Sequence, residues 1–133
     1  MAKEFLRQYE VFLKKAITDF RAAKNLLRDF EDGEIELDLE IIFFHLQQTG
    51  EKLLKSLLSK NKLDFPRSHD LKLLVKILKS NNIEFIENIE ELIPLTDYAV
   101  EGRYAVMHDD LGEVDKYIEI LNKLIEFVKI KIN

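Results

Sequence analysis

Arg103 and His108 are the two residues of this chain best equipped for chemistry. They stand five positions apart in Gly102-Arg103-Tyr104-Ala105-Val106-Met107-His108-Asp109-Asp110. A guanidinium keeps its charge at every physiological pH and meets a phosphate with two parallel hydrogen bonds. An imidazole both takes and gives a proton near neutrality. The pair is enough, in kind, to bind a phosphodiester or to cleave one without a metal. In cleavage His108 acts as general base on a ribose 2′-hydroxyl or as general acid on the leaving 5′-oxygen. Arg103 stabilises the charge that grows on the phosphate. Two further readings stay open: phosphate binding without cleavage, and Arg103 paired with a carboxylate such as Glu101 or Asp97 while His108 sits on a surface loop. Asp109 and Asp110 favour a protonated imidazole, repel an incoming phosphate and also suit the cap of a following helix.

Five residues on a straight helix turn a side chain by about 140° and advance it about 7.5 Å, so Arg103 and His108 do not share a helical face. They converge if a helix ends between them, or if two protomers bring their pairs together across a dimer axis.

The elements that must position them read as helix nearly throughout. Four Gly and two Pro punctuate 133 residues, and apolar residues recur at threes and fours. Phe5, Tyr9, Phe12, Ala16, Ala23, Leu27 and Phe30 predict a first helix, with Leu13, Ile17 and Phe20 widening its stripe. It should stop near Asp32-Gly33, where Gly suits the left-handed position after a helix. A second helix is expected from about Leu37 to Ser59, its inner stripe being Leu39, Ile42, Phe43, Leu46, Gly50, Leu53 and Leu57. Lys60 to Arg67, containing Pro66, reads as a loop. Ser68 is the expected N-cap of a third helix carrying Leu71, Leu74, Val75 and Leu78, broken at Asn81-Asn82. A short helix is expected over Ile83 to Ile93, before Pro94, and a further segment from Leu95 to about Met107. The last helix should start near Asp110, with Glu113 as capping-box partner, and carry Val114, Ile118, Leu121, Ile125, Val128 and Ile132. The expected fold is all-α: residues 1–133 as one domain, an antiparallel up-and-down bundle of four long helices plus a short one.

Composition narrows the function classes. Absence of cysteine excludes disulfides, thiolate metal sites and a Cys nucleophile. The three His lack helical ligand spacing, so neither a metal nor a cofactor is implied, and His45 and His69 read as packing or capping residues. No apolar run reaches the ~20 residues of a membrane span, and Met1 to Phe5 does not open a signal peptide, so the cytoplasm is the expected location. A net charge of −5 argues against a broad grip on nucleic acid. Charge is uneven, however. Residues 52–79 carry eight basic and two acidic side chains, whereas 84–119 carry two basic and eleven acidic.

The second helix contains Phe43-Phe44-His45-Leu46-Gln47-Gln48-Thr49-Gly50-Glu51-Lys52-Leu53-Leu54-Lys55-Ser56-Leu57-Leu58, with an embedded Gln-Gln-x-x-Glu-Lys. Ser68-His69-Asp70-Leu71 and Tyr98-x4-Arg103-Tyr104 follow in order. This set resembles HEPN-domain proteins, small helical bundles of bacteria and archaea, over roughly Phe5 to Ile125. The resemblance implies a bundle of four long helices, often a homodimer, binding nucleotide or RNA. Many members act beside a minimal nucleotidyltransferase. Some are metal-independent endoribonucleases, including toxins of toxin–antitoxin pairs, that use an Arg, four to six residues, then a His. Arg103 and His108 satisfy that spacing. Gln48, Glu51 and Lys52, three and four apart on one helix, are candidates to line a nucleotide- or phosphate-binding cleft beside Arg103, with Tyr104 from the Arg-Tyr motif. Two positions depart from the family. Asp110 stands where the toxin branch has Tyr, and Ala105 where His-less members carry Pro.

Overall fold

The computed structural model describes residues 7–33, 39–99 and 111–133. These form α1 (Gln8–Glu31), α2 (Leu39–Lys60), α3 (Leu71–Ser80), a 3-10 helix (Ile89–Tyr98) and α4 (Leu111–Ile132), with no strand among the described residues. The all-α bundle expected from the spacing is what the chain forms. Phe5, Leu37, Asp110 and the whole Arg103–His108 stretch lie outside the described residues.

Helix α2 is the axis of the molecule. Its expected stripe from Leu39 to Leu57 is buried throughout, and Leu54 and Leu58 are buried as well, so the helix meets neighbours on several sides. Each such Leu, Ile or Phe contributes roughly 1.5–3 kcal/mol by leaving water. Against α2 lie Ala16, Phe20, Ala23 and Leu27 of α1, Leu71, Leu74, Val75 and Leu78 of α3, and Val114, Leu121, Leu124, Ile125 and Val128 of α4.

Contacts between ends fix the direction of each element. The hydroxyl of Ser56 donates to the carbonyl of Tyr9 at 2.8 Å, while Asp19 reaches His45, so α1 runs antiparallel to α2. Leu71 lies beside Gly50, and Ile83 shares a hollow with Leu57 and Asn61, so α3 runs in the direction of α2. The return is made by the non-helical residues 61–70: Phe65 packs on Phe12 with ring centroids 6.0 Å apart, and His69 bonds Glu51. The 3-10 helix carries the chain back again, from Glu90 paired with Lys79 to Tyr98 stacked on Phe43. Helix α4 then descends beside α2, from Tyr117 near Phe43 to Lys131 paired with Glu84, and packs antiparallel to α1.

The helix ends follow local chemistry. Gly33 takes φ +73° after α1, its N–H bonding the Phe30 carbonyl, as its freedom from a Cβ predicts. Two non-glycine residues do the same work: Lys62 at φ 58° and Asn82 at φ 55°. In both cases the next N–H returns to the third-last helical carbonyl, Leu63 to Leu58 and Ile83 to Leu78, the paired bonds of a Schellman ending.

Two boundaries differ from expectation. The N-cap of α3 is Asp70, whose carboxylate accepts the Lys72 N–H at 3.0 Å; Ser68 sits two residues before it and accepts the Asp70 N–H. Both residues can cap, and the one nearer the first buried position, Leu71, prevails. The short helix spans Ile89–Tyr98 rather than Ile83–Ile93 and runs through Pro94. Ile86, Ile89, Leu92, Leu95 and Tyr98 recur at strict threes, the repeat of a 3-10 helix, and all but the half-buried Ile86 are buried.

Candidate functional site

Two carboxylates organise the polar groups along α2. Glu51 is only 5% exposed and sits at the centre of the first cluster. One of its oxygens accepts Gln47 Nε2 at 3.1 Å and meets His69 Nδ1 at 2.8 Å; the other accepts Lys55 Nζ at 2.9 Å. Gln47, itself fully buried, also donates to the His69 carbonyl at 3.1 Å and accepts from Gln48 Nε2 at 2.7 Å. The spacing 47-51-55 puts these groups on one face of α2, and that face meets the chain just before α3. Burial pushes the Glu51 carboxyl up, but hydrogen bonds from Lys55, His69 and Gln47 outweigh it and hold the group below its ordinary range.

Asp19 of α1 centres the second cluster. One oxygen meets His45 Nδ1 at 3.1 Å and the other takes the Lys52 ammonium. Burial raises this carboxyl as well, and the hydrogen bonds from His45 and Lys52 bring it below its ordinary value. Each cluster thus joins a carboxylate, an imidazole Nδ1 and a lysine. A carboxylate fixes the orientation of an imidazole by holding one ring nitrogen.

A third grouping lies at the end of the bundle where the described chain stops at Ala99 and resumes at Leu111. Phe43 stacks on Tyr98 with centroids 4.8 Å apart and meets Tyr117 edge-on at 6.0 Å. The Tyr98 hydroxyl is pushed up to about 12 by burial, then by Glu113, Tyr117, Glu40 and Asp97. Burial likewise raises Tyr117, aided by Glu113, Asp97 and Glu91. This end of the molecule is therefore acidic and aromatic.

Of the residues singled out in the sequence, Arg103, Tyr104 and His108 lie outside the described residues. Gln48, Glu51 and Lys52 are within them, and the structure divides them. Glu51 turns towards His69, Lys52 turns towards α1, and Gln48 bridges to Gln47. Both charged groups are engaged inside the chain. His45 and His69 pack and tie, as their sequence context indicated, and each does so through a carboxylate. Sequence reasoning missed Asp19, Gln47 and Lys55. The 47-51-55 repeat was visible as a signal, whereas nothing around Asp19 pointed 26 residues ahead to His45. Among the described residues no group of three His, Asp or Glu side chains gathers as metal ligands.

Comparison with known proteins decides the family. Residues 9–131 match the family described as the HEPN domain, which is nearly the whole chain. The chain is a HEPN-domain protein. That membership supports a general role connected with nucleotides or RNA. No curated protein and no solved structure shows significant similarity to this HEPN chain. No helix among the described residues is long and apolar enough to cross a membrane.

Proposed function

We propose that this HEPN protein binds nucleotide or RNA phosphate at Arg103 and cleaves RNA without a metal, with His108 moving the proton. The reading is carried by one observation: a HEPN match across residues 9–131 that contains Arg103 and His108 at the nuclease spacing. Both flanks of residues 100–110 lead to the same end of the bundle, at Tyr98 and at α4. In the reaction, a ribose 2′-oxygen attacks the adjacent phosphorus as its proton passes to a base. The bond from phosphorus to the 5′-oxygen breaks, and that oxygen takes a proton from an acid. Products are a 2′,3′-cyclic phosphate and a 5′-hydroxyl. His108 serves as one of the two proton-transfer groups, and Arg103 offsets the charge on the non-bridging oxygens. Tyr104, Gln48 and Lys52 are proposed contacts for the bound nucleotide, Lys52 after leaving Asp19; Glu51 contributes by holding His69 and Lys55. The proposed unit is a cytoplasmic homodimer, which brings two Arg–His pairs together.

The acidic surroundings of Tyr98 and Tyr117 favour a second reading. Glu40, Asp97 and Glu113 oppose an incoming phosphate, which suits a non-catalytic module that partners a minimal nucleotidyltransferase. RNA incubated in EDTA with wild type, Arg103→Ala and His108→Ala separates the two. Cleavage that persists in chelator and disappears in both variants is expected. Absence of cleavage by wild type, with capture of a nucleotidyltransferase from the native host, establishes the second reading instead.

A further inference from the structure

The net charge of +6 over residues 52–79 is not spread evenly once the chain is folded. Lys52 is taken by Asp19, Lys55 by Glu51 and Lys79 by Glu90. Lys60 lies over the ring of Tyr9, 4.8 Å from its centroid. Lys62, Arg67, Lys72 and Lys76 are exposed and have no ion pair among the described residues, Lys62 lying at the far end of the loop, in the turn that closes α2. Lys72 and Lys76 are four apart on α3, so they project from one face about 6 Å apart along the axis.

His69 stands between Arg67 and Lys72 and is held unusually firmly for a side chain 60% exposed. Glu51 grips its Nδ1 and Gln47 grips its carbonyl. A solvated imidazole normally loses rotamer freedom when it binds something; here Glu51 has already met that loss, while Gln47 holds the backbone beneath it. The nearest acid in sequence, Asp70, has its carboxylate committed to the Lys72 N–H.

We infer that Arg67, His69, Lys72 and Lys76 form the surface along which the phosphate backbone of a single-stranded RNA lies. This rests on the RNA reading proposed above and assigns the flanking nucleotides, rather than the reacting phosphate, to α3. Arg67 and His69 precede α3, and Lys72 and Lys76 follow on its exposed face, so the cations succeed one another along the chain as a repeating polyanion requires. The acidic end of a second copy would also complement them. Such a contact can close as a two-fold dimer, and a salt-sensitive dimer lost in Lys72→Ala/Lys76→Ala with RNA affinity unchanged overturns the assignment.

The test is binding of a fluorescent 2′-O-methyl RNA, which cannot be transesterified, measured over a range of salt. The variants are Lys72→Ala/Lys76→Ala and, as control, Lys14→Ala/Lys15→Ala on exposed α1. Loss of two phosphate contacts should lower the slope of log K against log salt by about 1.4, uniformly across RNA sequences. The control pair should leave both slope and affinity unchanged. Equal binding by the α3 variant and wild type overturns the assignment while leaving the RNA reading intact. So does an equal loss in the control pair, or polyglutamate competing as well as RNA at matched charge. No binding by wild type even at low salt removes the RNA reading itself.

Discussion

Replacing Glu51 with Gln removes one charge and changes almost nothing in shape, so it isolates what the buried carboxylate does. In the native chain the two sides of the pair are 5% exposed at Glu51 and 12% at Lys55. Removing one partner of a buried ion pair costs about 3–5 kcal/mol, because the other is left charged and desolvated. Lys55 can recover part of this by extending its stem past Phe65, where its ammonium already sits 5.9 Å from the ring centroid. The expected loss is therefore about 2–3 kcal/mol, a large part of the roughly 5–15 kcal/mol that a domain has. Urea denaturation at pH 7 reads it directly, and the melting temperature should fall by roughly 10 °C. Adding Lys55→Met to Glu51→Gln should restore about half, since the stranded charge is then gone.

The pH dependence has a definite sign. Glu51 is held below its ordinary value of 4.5 in the fold, so its stabilisation is present above that value and is lost as pH falls through the folded value. The gap between wild type and Glu51→Gln must narrow in acid. A Gln variant within about 0.5 kcal/mol of wild type at pH 7 would refute the argument. A gap that widens in acid would refute it equally.

Other perturbations follow the same physics. Asp19→Asn should cost about 1–2 kcal/mol by weakening its bonds to His45 and Lys52 together, and its acid dependence should match that of Glu51 in direction; denaturant titration at pH 7 and pH 4 checks both. Gly50→Ala should stabilise by about 0.5–1 kcal/mol, because a Cβ there meets Leu121 and Leu71 at 3.6 and 3.9 Å, ordinary contact distances; a lowered melting temperature would contradict this. Lys62→Gly should gain about 1 kcal/mol by relieving a left-handed backbone at φ 58°, as a higher urea midpoint with unchanged slope would show. Spectrophotometric titration should find a tyrosine ionising near 12 that vanishes in Tyr98→Phe. The raised value means that stability is intact below 10 and declines as pH climbs from there through about 12.

The sequence reveals the bundle well because burial is written in its spacing. Every position assigned to the inner stripes of α2 and α3 is buried, and Gly33 and Asn82 mark helix ends by backbone conformation alone. The region around Pro94 was misjudged for a physical reason. Proline signals a break in an α-helix, yet the strict threes from Ile86 to Tyr98 specify a tighter winding that accommodates it. Polar groups were less legible. Glu51 and Lys52 are neighbours in sequence with opposite charges, and only tertiary packing reveals that one faces the loop before α3 and the other faces α1. Burial of Gln47 could not be told from that of Gln48, since the two are adjacent and identical in type. Gln47 reaches the His69 carbonyl 22 residues on, and Lys52 reaches Asp19 33 residues back.

Tyr98 and Tyr117 converge on one ring, Phe43, although 18 residues of chain separate them. The chain therefore leaves at Ala99 and resumes at Leu111 on a single rim. Each doubling of such an excursion costs only about 0.6 kcal/mol in closure entropy. A longer or shorter connection between these anchors is thus cheap, while Phe43, Tyr98 and Tyr117 hold both of its ends.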